Sequence, residues 1–360
     1  MRRPHSILLA LLAGTAAPAG VPGLSGVPAR AARGSDAIDR LVAAVSVGEA
    51  SRYRNLTLFP VRLRRTQDDT PYVTLDEALK RGSLVITELA SADVNRVRVR
   101  NRSSDYVFLL AGEIIAGAKQ DRMVEDDLLL PPHSPEIALG VFCTEQGRWS
   151  GRSTTFEASG VAVHNRLRQV AKESRSQSRV WEEVTEKAGS LRAARPETSA
   201  ARRVYSQSEV QSRARPYADN LEGFARRYPD TVGVVAVAGG EIIVADVFCN
   251  PSLFRKLWPK LLESYVLDAI DRSDASGRVD RYEAERFLEN ARRAAIVERS
   301  TPGTGDLYDL RASRVYGSAL VRRDAVVHID LFPRLGDVIT PRPSGTPDLD
   351  FRRRQQEQRR

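Results

Sequence analysis

The sequence is poor in the residues that usually build metal and redox sites. Its 360 residues include two cysteines and four histidines, and the histidines are widely separated, at His5, His133, His164 and His328. Protein zinc sites take three or four such ligands, usually at short and regular spacing. The sequence also contains no Cys-x-x-Cys, His-Glu-x-x-His, Gly-x-Ser-x-Gly or glycine-rich phosphate-loop motif. It therefore predicts no metal and no cofactor, and it excludes the enzyme classes that these motifs mark.

Long hydrophobic runs are also missing after the first 33 residues. No later apolar run reaches the length of about 18 residues that a membrane-spanning helix needs, so we expect no transmembrane segment in the mature chain. With 42% hydrophobic and 28% charged residues, the chain is too apolar to be disordered throughout. Its length allows one large domain or two modest ones, with a sizeable core in either case.

Lysine is scarce, with six residues against 49 arginines. The net charge of +9 comes mostly from the two ends of the chain, because residues 1–31 hold three arginines and residues 352–360 hold five arginines and one glutamate. This leaves a net charge of +2 for residues 32–351. Such a balance gives little support to phosphate-backbone binding, so no nucleic acid partner is expected.

The first 31 residues have the pattern of an export signal. Arg2 and Arg3 form a short positive segment, and Ile7–Ala13 is the apolar segment that follows. Small residues fit a cleavage site near Ala19 or Ala31. The sequence therefore predicts export, either to the periplasm or to the medium.

The two cysteines end similar apolar runs, Gly-Val-Phe-Cys143 and Asp-Val-Phe-Cys249. In an oxidising compartment they could pair as a disulfide. The alternative is two buried strand thiols that never meet, and the sequence favours neither.

Repetition within the sequence predicts a duplicated β-hairpin core. Thr231–Phe248 reads as two strands around Gly239-Gly240, where a two-residue hairpin turn needs positive φ. Val315–Phe332 repeats this plan, and its ending Asp-Leu-Phe corresponds to Asp-Val-Phe in the first copy. Val107–Gln120 shares Gly-Glu-Ile-Ile with the first copy and is predicted as a third hairpin. Three related hairpins predict an α+β fold with a duplicated sheet.

Helices are predicted on both sides of the middle hairpin. Residues 163–228 are polar and nearly free of glycine, so we predict a helical insertion there. Its excess of six positive charges indicates a solvated face or a polyanion-binding arm. A helix pair follows at Ser252–Ile270 and Asp280–Ala295. The remaining expected segments are an N-terminal helix and linker at 32–54, the domain at 55–338 and a disordered basic tail at 339–360.

Two charged motifs carry a family resemblance. They are Gly112-Glu113 followed by Lys119-Gln120-x-Arg122, and Cys143-x-Glu145-x-Gly147-Arg148-Trp149. Both resemble the signature of the ARG and rhodanese-phosphatase-superfamily-associated protein domain, a bacterial and archaeal family. The likeness covers most of the chain after the leader, and it extends to Ser176-Gln177, Val180-Trp181, Asp246-x-Phe248 and Val327-His328 before Phe332.

The resemblance carries over no reaction, cofactor or catalytic residue. Because the family's name records association with other domains, it implies a module that acts with others and not a self-sufficient catalyst. The motif side chains could build one charged pocket, since arginine forks suit a carboxylate or phosphate and tryptophan offers a stacking wall. The alternative is a structural Arg–Glu network at two strand ends. The ligand-binding candidates are Lys119, Gln120, Arg122, Arg148 and Trp149.

Three functions stay open at this point. The first is a binding module for an unknown ligand or protein partner. The second is a hydrolase acting on an anionic or cell-envelope substrate, with Glu113 or Glu145 as acid/base and Arg122 or Arg148 as anion clamp. Glu113 corresponds to Glu241 at a hairpin turn, so it is predicted as a tip residue first. The third is a structural or self-associating protein, and the sequence does not define an oligomeric state.

Overall fold

The computed structural model describes residues 29–89, 95–118, 120–146, 155–193, 199–272 and 277–334. Its helices are α1 (Ala29–Ala44), α2 (Leu75–Lys80), α3 (Asn165–Ser174), α4 (Gln177–Ser190), α5 (Ala201–Tyr205), α6 (Ser208–Leu221), α7 (Phe224–Arg227), α8 (Pro251–Asp271) and α9 (Arg281–Glu289). Within these ranges, none of the helices has the length and apolar character needed to cross a membrane.

Strands make up a similar share of the fold. They are β1 (Val45–Val47), β2 (Ser51–Tyr53), β3 (Leu56–Leu63), β4 (Val73–Thr74), β5 (Leu84–Glu88), β6 (Arg96–Asn101), β7 (Val107–Leu109), β8 (Glu113–Gly117), β9 (Arg122–Val124), β10 (Leu128–Leu130), β11 (Ile137–Cys143), β12 (Glu145–Gln146), β13 (Phe156–Ala162), β14 (Ser199–Ala200), β15 (Thr231–Ala238), β16 (Glu241–Phe248), β17 (Ala295–Arg299), β18 (Asp306–Arg311), β19 (Val315–Arg322) and β20 (Ala325–Pro333). The predicted α+β class is confirmed.

The largest sheet has nine strands in the order β1-β3-β15-β16-β20-β19-β18-β17, with β2 also paired to β3. One face packs against α1 and α9 through an apolar cluster that includes Ile38, Leu41 and Leu288. The other face meets α3 and α8 and the rest of the molecule. The sheet is therefore buried on both sides, which explains why β15 and β19 are buried along their whole length and are mostly apolar.

The two predicted hairpins β15–β16 and β19–β20 are neighbours in this sheet and share their details. A Cβ added to Gly233 would lie 2.2 Å from the carbonyl oxygen of Asp246, and one on Gly317 would lie 2.1 Å from that of Asp330. Both hairpins also shift register at the same distance after that glycine. Because β16 pairs with β20, Asp246 lies directly opposite Asp330. The duplication predicted from the sequence thus places two equivalent aspartates side by side.

The third predicted hairpin, Val107–Gln120, does not form. Strand β7 pairs with β10 and β4, whereas β8 pairs with β9 and β13 in a different sheet. Glu113 is therefore not a hairpin-tip residue, and its side chain is fully buried while that of Glu241 is exposed. The shared Gly-Glu-Ile-Ile sequence forms a strand in both places, but the two strands do not pair in the same way.

The smaller sheets form a second layer that carries the sequence motifs. A six-stranded sheet has the order β13-β8-β9-β11-β6-β5, and a three-stranded sheet has the order β10-β7-β4. Helix α2 closes this layer and begins with a capping box, in which Thr74 and Glu77 bond each other's backbone. Glycine at 82 follows the helix with φ of +65°, as its position at a helix end predicts.

The helical segment α3–α7 differs from a simple solvated face. Several of its cations point into the protein, where Arg168, Lys172 and Lys187 are at most 4% exposed. In α3, Asn165, Arg168 and Lys172 recur at helical spacing and form a polar stripe that packs on the large sheet. The polar stripe is buried because the strands that it packs against, β16 and β20, carry aspartates that bind its cations.

Arg168 is the centre of this buried contact. Its Nη1 and Nη2 atoms donate to the two carboxylate oxygens of Asp246 at 3.0 and 2.7 Å, and Nη2 lies 3.4 Å from Asp330. Lys172 donates to Asp330 and, at 2.6 Å, to Ser318. Tyr265 of α8 donates to Asp246 at 2.6 Å. The insertion, both hairpins and α8 are thus joined by one group of buried ion pairs.

Asp246→Asn tests how strongly this group holds the fold. The amide keeps the side-chain volume but leaves Arg168 buried without its main counter-charge, so we expect a loss of about 3–5 kcal/mol in the free energy of unfolding. Urea unfolding at pH 7 measures it. Asp230→Asn is the matched control, because Asp230 is 26% exposed in its pair with Arg62 and should cost less than about 1 kcal/mol. Equal losses in both variants would contradict a central role for Asp246.

Candidate functional site

Five motif-bearing or neighbouring side chains meet where β9, β11 and α4 come together. We call them the signature cluster: Glu88, Gln120, Arg122, Cys143 and Gln177. Arg122 and Cys143 are cross-strand partners in β9 and β11. Gln177 is the first residue of α4, and its amide both accepts from the Cys143 N–H and donates to the Cys143 carbonyl, each at 2.8 Å. These two hydrogen bonds fix the start of α4 on the end of β11.

Arg122 is almost completely buried and holds the cluster together. Its Nη1 donates to Gln120 Oε1 at 2.6 Å and to Cys143 Sγ at 2.9 Å, and its Nη2 lies 3.6 Å from a Glu88 carboxylate oxygen. Two donors of the cluster are different: Gln120 Nε2 and Arg122 Nε are buried and have no hydrogen-bond partner in the described part of the chain. The cluster is therefore only partly satisfied.

Cys143 and Cys249 are not joined in a disulfide, and each is a buried thiol. Cys143 lies against Arg122, whereas Cys249 accepts a bond from Asn250 at 3.3 Å. Burial raises the pKa of Cys143 to about 11, although the Arg122 charge opposes this. Burial also raises the pKa of Cys249. At neutral pH both are protonated thiols, and Cys143 brings no negative charge to the cluster.

Three of the predicted ligand-binding residues, Lys119, Arg148 and Trp149, lie outside the described residues. Lys119 directly precedes Gln120, and Arg148 and Trp149 follow β12 in the sequence. Of the five ligand-binding candidates, the structure brings Gln120 and Arg122 together.

Glu113, a candidate acid/base, lies in a closed ion-pair group. Its carboxylate accepts from Lys260 of α8 at 2.5 Å and from the Leu110 N–H at 2.7 Å. Lys260 also lies 2.6 Å from Asp76, at the start of α2. Burial raises the pKa of Glu113, and the Lys260 charge opposes this without cancelling it. The side chain is 0% exposed, so it can meet a substrate only if this group opens.

Glu145, the other candidate acid/base, is also buried. It lies in β12 opposite Ala200 of β14, and its carboxylate is 3.6 Å from Arg203. Arg122 has its own carboxylate neighbour in Glu88. In the described part of the chain, Glu145 thus faces Arg203 and Arg122 faces Glu88, and a single pocket of Glu145, Arg122, Lys119 and Arg148 stays a prediction.

The glycine of the Gly112-Glu113 motif has a packing role. Gly112 has φ of +93°, and a Cβ there would lie 2.7 Å from Arg168 Cγ. A larger residue would push Arg168 away from Asp246. This part of the motif serves the buried ion pairs between α3 and the large sheet.

His328, from the weaker part of the resemblance, belongs to the same buried group. Its Nδ1 lies 2.6 Å from Asp127 and its Nε2 lies 3.2 Å from Asp246, and the ring stacks on Phe248 at 4.3 Å. Burial alone would lower the pKa of His328, but the Asp127 charge and the two hydrogen bonds raise it to about 9. Burial would raise the pKa of Asp246, but Arg168 and His328 hold it well below its usual range. The ring is a buried imidazolium at neutral pH.

The sequence prediction missed the partners that close these networks. Asp127 accepts from the Ala111 N–H at 2.8 Å as well as facing His328, and Lys260 neutralises Glu113. The available signal was the polar stripe of α3, since a helix face of Asn165, Arg168 and Lys172 at regular spacing needs matching acceptors if it is buried. The local sequence does not identify those acceptors, which lie up to 162 residues from the α3 cations along the chain.

No group of three or more histidine, cysteine or acidic side chains suited to a metal ion occurs within the described ranges. Both ring nitrogens of His328 already face carboxylates. Gln120 and Arg122 are hydrogen-bond donors, and Arg122 also carries a positive charge, so the open part of the signature cluster is suited to an acceptor and not to a cation.

His328 gives the protein a defined pH dependence. A pKa raised from 6.5 to about 9 means that the stabilisation is complete below pH 6.5 and is lost as the pH rises through about 9. At 1.36 kcal/mol per unit this amounts to about 3 kcal/mol. We expect the free energy of unfolding of the wild type to fall by about that much more than that of His328→Gln between pH 6 and 10. Urea titrations at several pH values measure both. His133→Gln, at an exposed position, should keep the wild-type profile, and a parallel profile for His328→Gln would contradict the assignment.

The family model of the ARG and Rhodanese-Phosphatase-superfamily-associated Protein domain matches residues 44–332. Searches of curated proteins and of solved structures return no match. The match covers most of the chain and starts in the last residue of α1, so it includes both hairpins, the helical segment and the signature cluster. The chain therefore belongs to this family.

Proposed function

We propose that this family member is an exported binding module in which Gln120 and Arg122 receive a ligand group rich in acceptor oxygens, such as a carboxylate or a phosphate. The observation that carries the proposal is the pair of buried nitrogens, Gln120 Nε2 and Arg122 Nε, without a partner in the described ranges. Gln120 is 0% exposed and Arg122 is 1% exposed, so, as at Glu113, a ligand reaches these donors only if the cluster opens. The family name records association with other proteins, which fits a module that works beside a partner.

The energetics support a ligand at this place. A buried donor without an acceptor costs about 1–3 kcal/mol, and the signature cluster contains two of them. The Arg122 Nη1 bond to Gln120 Oε1 fixes the amide so that its NH₂ group points away from the guanidinium. Buried polar groups are almost always hydrogen-bonded in folded proteins, so two unsatisfied donors within one cluster favour an acceptor that binds there.

The chemistry of the cluster selects the class of ligand. Both open groups are N–H donors, and Arg122 adds a positive charge. Glu88, at 3.6 Å, is the counter-charge of Arg122, and the Cys143 thiol is neutral at pH 7, but neither contact involves Gln120 Nε2 or Arg122 Nε. Ligand oxygens that only accept hydrogen bonds suit each of these two donors, and a negative charge on the ligand strengthens the bond to Arg122.

Gln120→Glu separates a ligand site from a purely structural cluster. The change is nearly isosteric, replaces the open NH₂ donor by an oxygen and adds a negative charge that repels an anion. We expect phosphate or acetate to raise the melting temperature of the wild type beyond sodium chloride of equal ionic strength, and to have no such effect on the variant. Differential scanning fluorimetry over a concentration series measures this, because the stabilisation follows RT ln(1 + [L]/Kd).

Asn220→Asp is the matched control, since it makes the same amide-to-acid change at an exposed residue that bonds within its own helix. It should respond to both anions as the wild type does. An equal response of wild type and Gln120→Glu, or no ion-specific response of the wild type, would remove the proposed site.

The export part of the proposal rests on the leader pattern of residues 1–31. Cleavage after Ala31 would leave the buried residues of α1, such as Ile38 and Leu41, in the mature chain. The proposed site would then act outside the cytoplasm.

Expression of the full chain in an exporting bacterial host tests this part. We expect the extracytoplasmic protein to begin at residue 32 or 20, as read by N-terminal sequencing, because the small residues before these positions fit signal cleavage. Ala31→Leu should shift cleavage to the Ala19 site if Ala31 is the natural one, and it should have no effect if Ala19 is. Cytoplasmic protein that keeps Met1 would contradict export.

A further inference from the structure

An open cleft of about 470 Å³ lies apart from the signature cluster. Its walls come from the start of α3, the first residues of β16, the end of α8, the start of α9 and the residues around the end of β20. The volume is in the range of pockets that take small molecules. Nothing in the sequence motifs points to this cleft.

The cleft has an apolar side. Ile242, Ile243, Val279 and Phe287 contribute to its lining, and Val279, Phe287 and Ile242 also pack against the apolar cluster under the large sheet. These side chains are anchored by the core, so the apolar surface is preformed. It offers contact area to an apolar ligand body.

The carboxylates of the cleft are already occupied. Glu241 pairs with Arg272 at 2.8 Å, and Glu283 completes the capping box of α9 by accepting from the Asp280 N–H at 2.9 Å. Asp268 accepts from Lys187 at 2.9 Å and from Asn165. Each negative charge thus has a donor or cation within the fold.

Two arginines of the cleft have no carboxylate partner in the described ranges. The Arg314 side chain is exposed and makes no hydrogen bond or ion pair with any residue in these ranges. Arg334 donates only to the Ala312 carbonyl at 3.4 Å. Arg166, by contrast, is paired with Glu183 at 3.5 Å. Arg314 and Arg334 together outweigh the charge of Glu283, whose described partner is a backbone N–H, so the unneutralised charge at the cleft is positive.

We propose that this cleft binds an amphiphilic small-molecule anion, with its oxyanion head at Arg314 and Arg334 and its apolar body against Ile242 and Phe287. The positive charge at the rim favours the oxyanion head of the ligand, and the apolar lining favours its apolar body. An oxyanion alone would leave the apolar side unused, and a neutral apolar molecule would leave the arginines without a partner. This site is independent of the one proposed at Gln120 and Arg122.

Isothermal titration of the mature chain with octyl phosphate, below its micelle concentration, tests the proposal. We expect binding at least about tenfold tighter than that of inorganic phosphate, which lacks the apolar body, and of 1,2-octanediol, which lacks the charge. An octanoate titration distinguishes a carboxylate from a phosphate head, and either preference supports the proposal.

Arg314→Glu should weaken octyl phosphate binding by about tenfold or more, and Arg314→Gln by less, because reversal of the charge repels the head. Arg215→Glu is the control, since Arg215 is an exposed arginine of α6 outside the cleft. It should bind as the wild type does. Circular dichroism checks that each variant is folded. All titrations are made in the Gln120→Glu background, so that an anion bound at Gln120 and Arg122 does not contribute to the measured heat.

Three results would each overturn the proposal. The first is affinity for inorganic phosphate or 1,2-octanediol equal to that for octyl phosphate, and the second is the same affinity for octyl phosphate in Arg314→Glu as in the protein without that change. Absence of heat and of competition with a fluorescent anionic probe, 8-anilinonaphthalene-1-sulfonate, would overturn it as well.

Discussion

The buried ion pair between Arg168 and Asp246 is the contact on which the rest of the structure depends. Arg168 brings α3 onto the large sheet, and Asp246 collects Tyr265 from α8 and His328 from β20. Charges removed from water cost several kcal/mol each unless every partner is well placed, so the pair tightly specifies the positions around it. Gly112 leaves the space that Arg168 needs. The helical segment, the two paired hairpins and the turn before β8 thus all meet at one contact between two side chains.

Much of the local structure could be predicted from the sequence, because its causes are local. The turn at Gly239-Gly240, the Thr74 capping box and the start of α9 after Asp280 follow from residues within a few positions. The prediction of a third hairpin was wrong, because a likeness over four residues does not determine which strands pair. The prediction that the basic residues of the helical segment face solvent or a polyanion was also wrong in part. Arg168, Lys172 and Lys187 are buried against aspartates far along the chain, which no local pattern indicates.

The candidate site residues also differ in whether a side chain from a remote part of the chain meets them. Glu113 has Lys260, His328 has Asp127 and Asp246, and the glycine of the first motif makes room for Arg168, so these motif residues maintain the fold. Gln120 and Arg122 are different, because two of their buried donors have no acceptor in the described part of the chain. The sequence could identify these two as candidates from their charged motif. It could not separate them from Glu113, since that distinction depends on whether a side chain from a remote element meets each group.

Crystallography with an anomalous oxyanion tests this central distinction most directly. Crystals of the protein grown with selenate would give an anomalous-difference map that locates selenium independently of the protein atoms. We expect a peak whose oxygens lie within hydrogen-bond distance of Gln120 Nε2 and Arg122 Nε, with no peak at the closed group of Glu113 and Lys260. A carbonyl or carboxylate of the protein itself in contact with both donors, and no selenium nearby, would show that the signature cluster is structural.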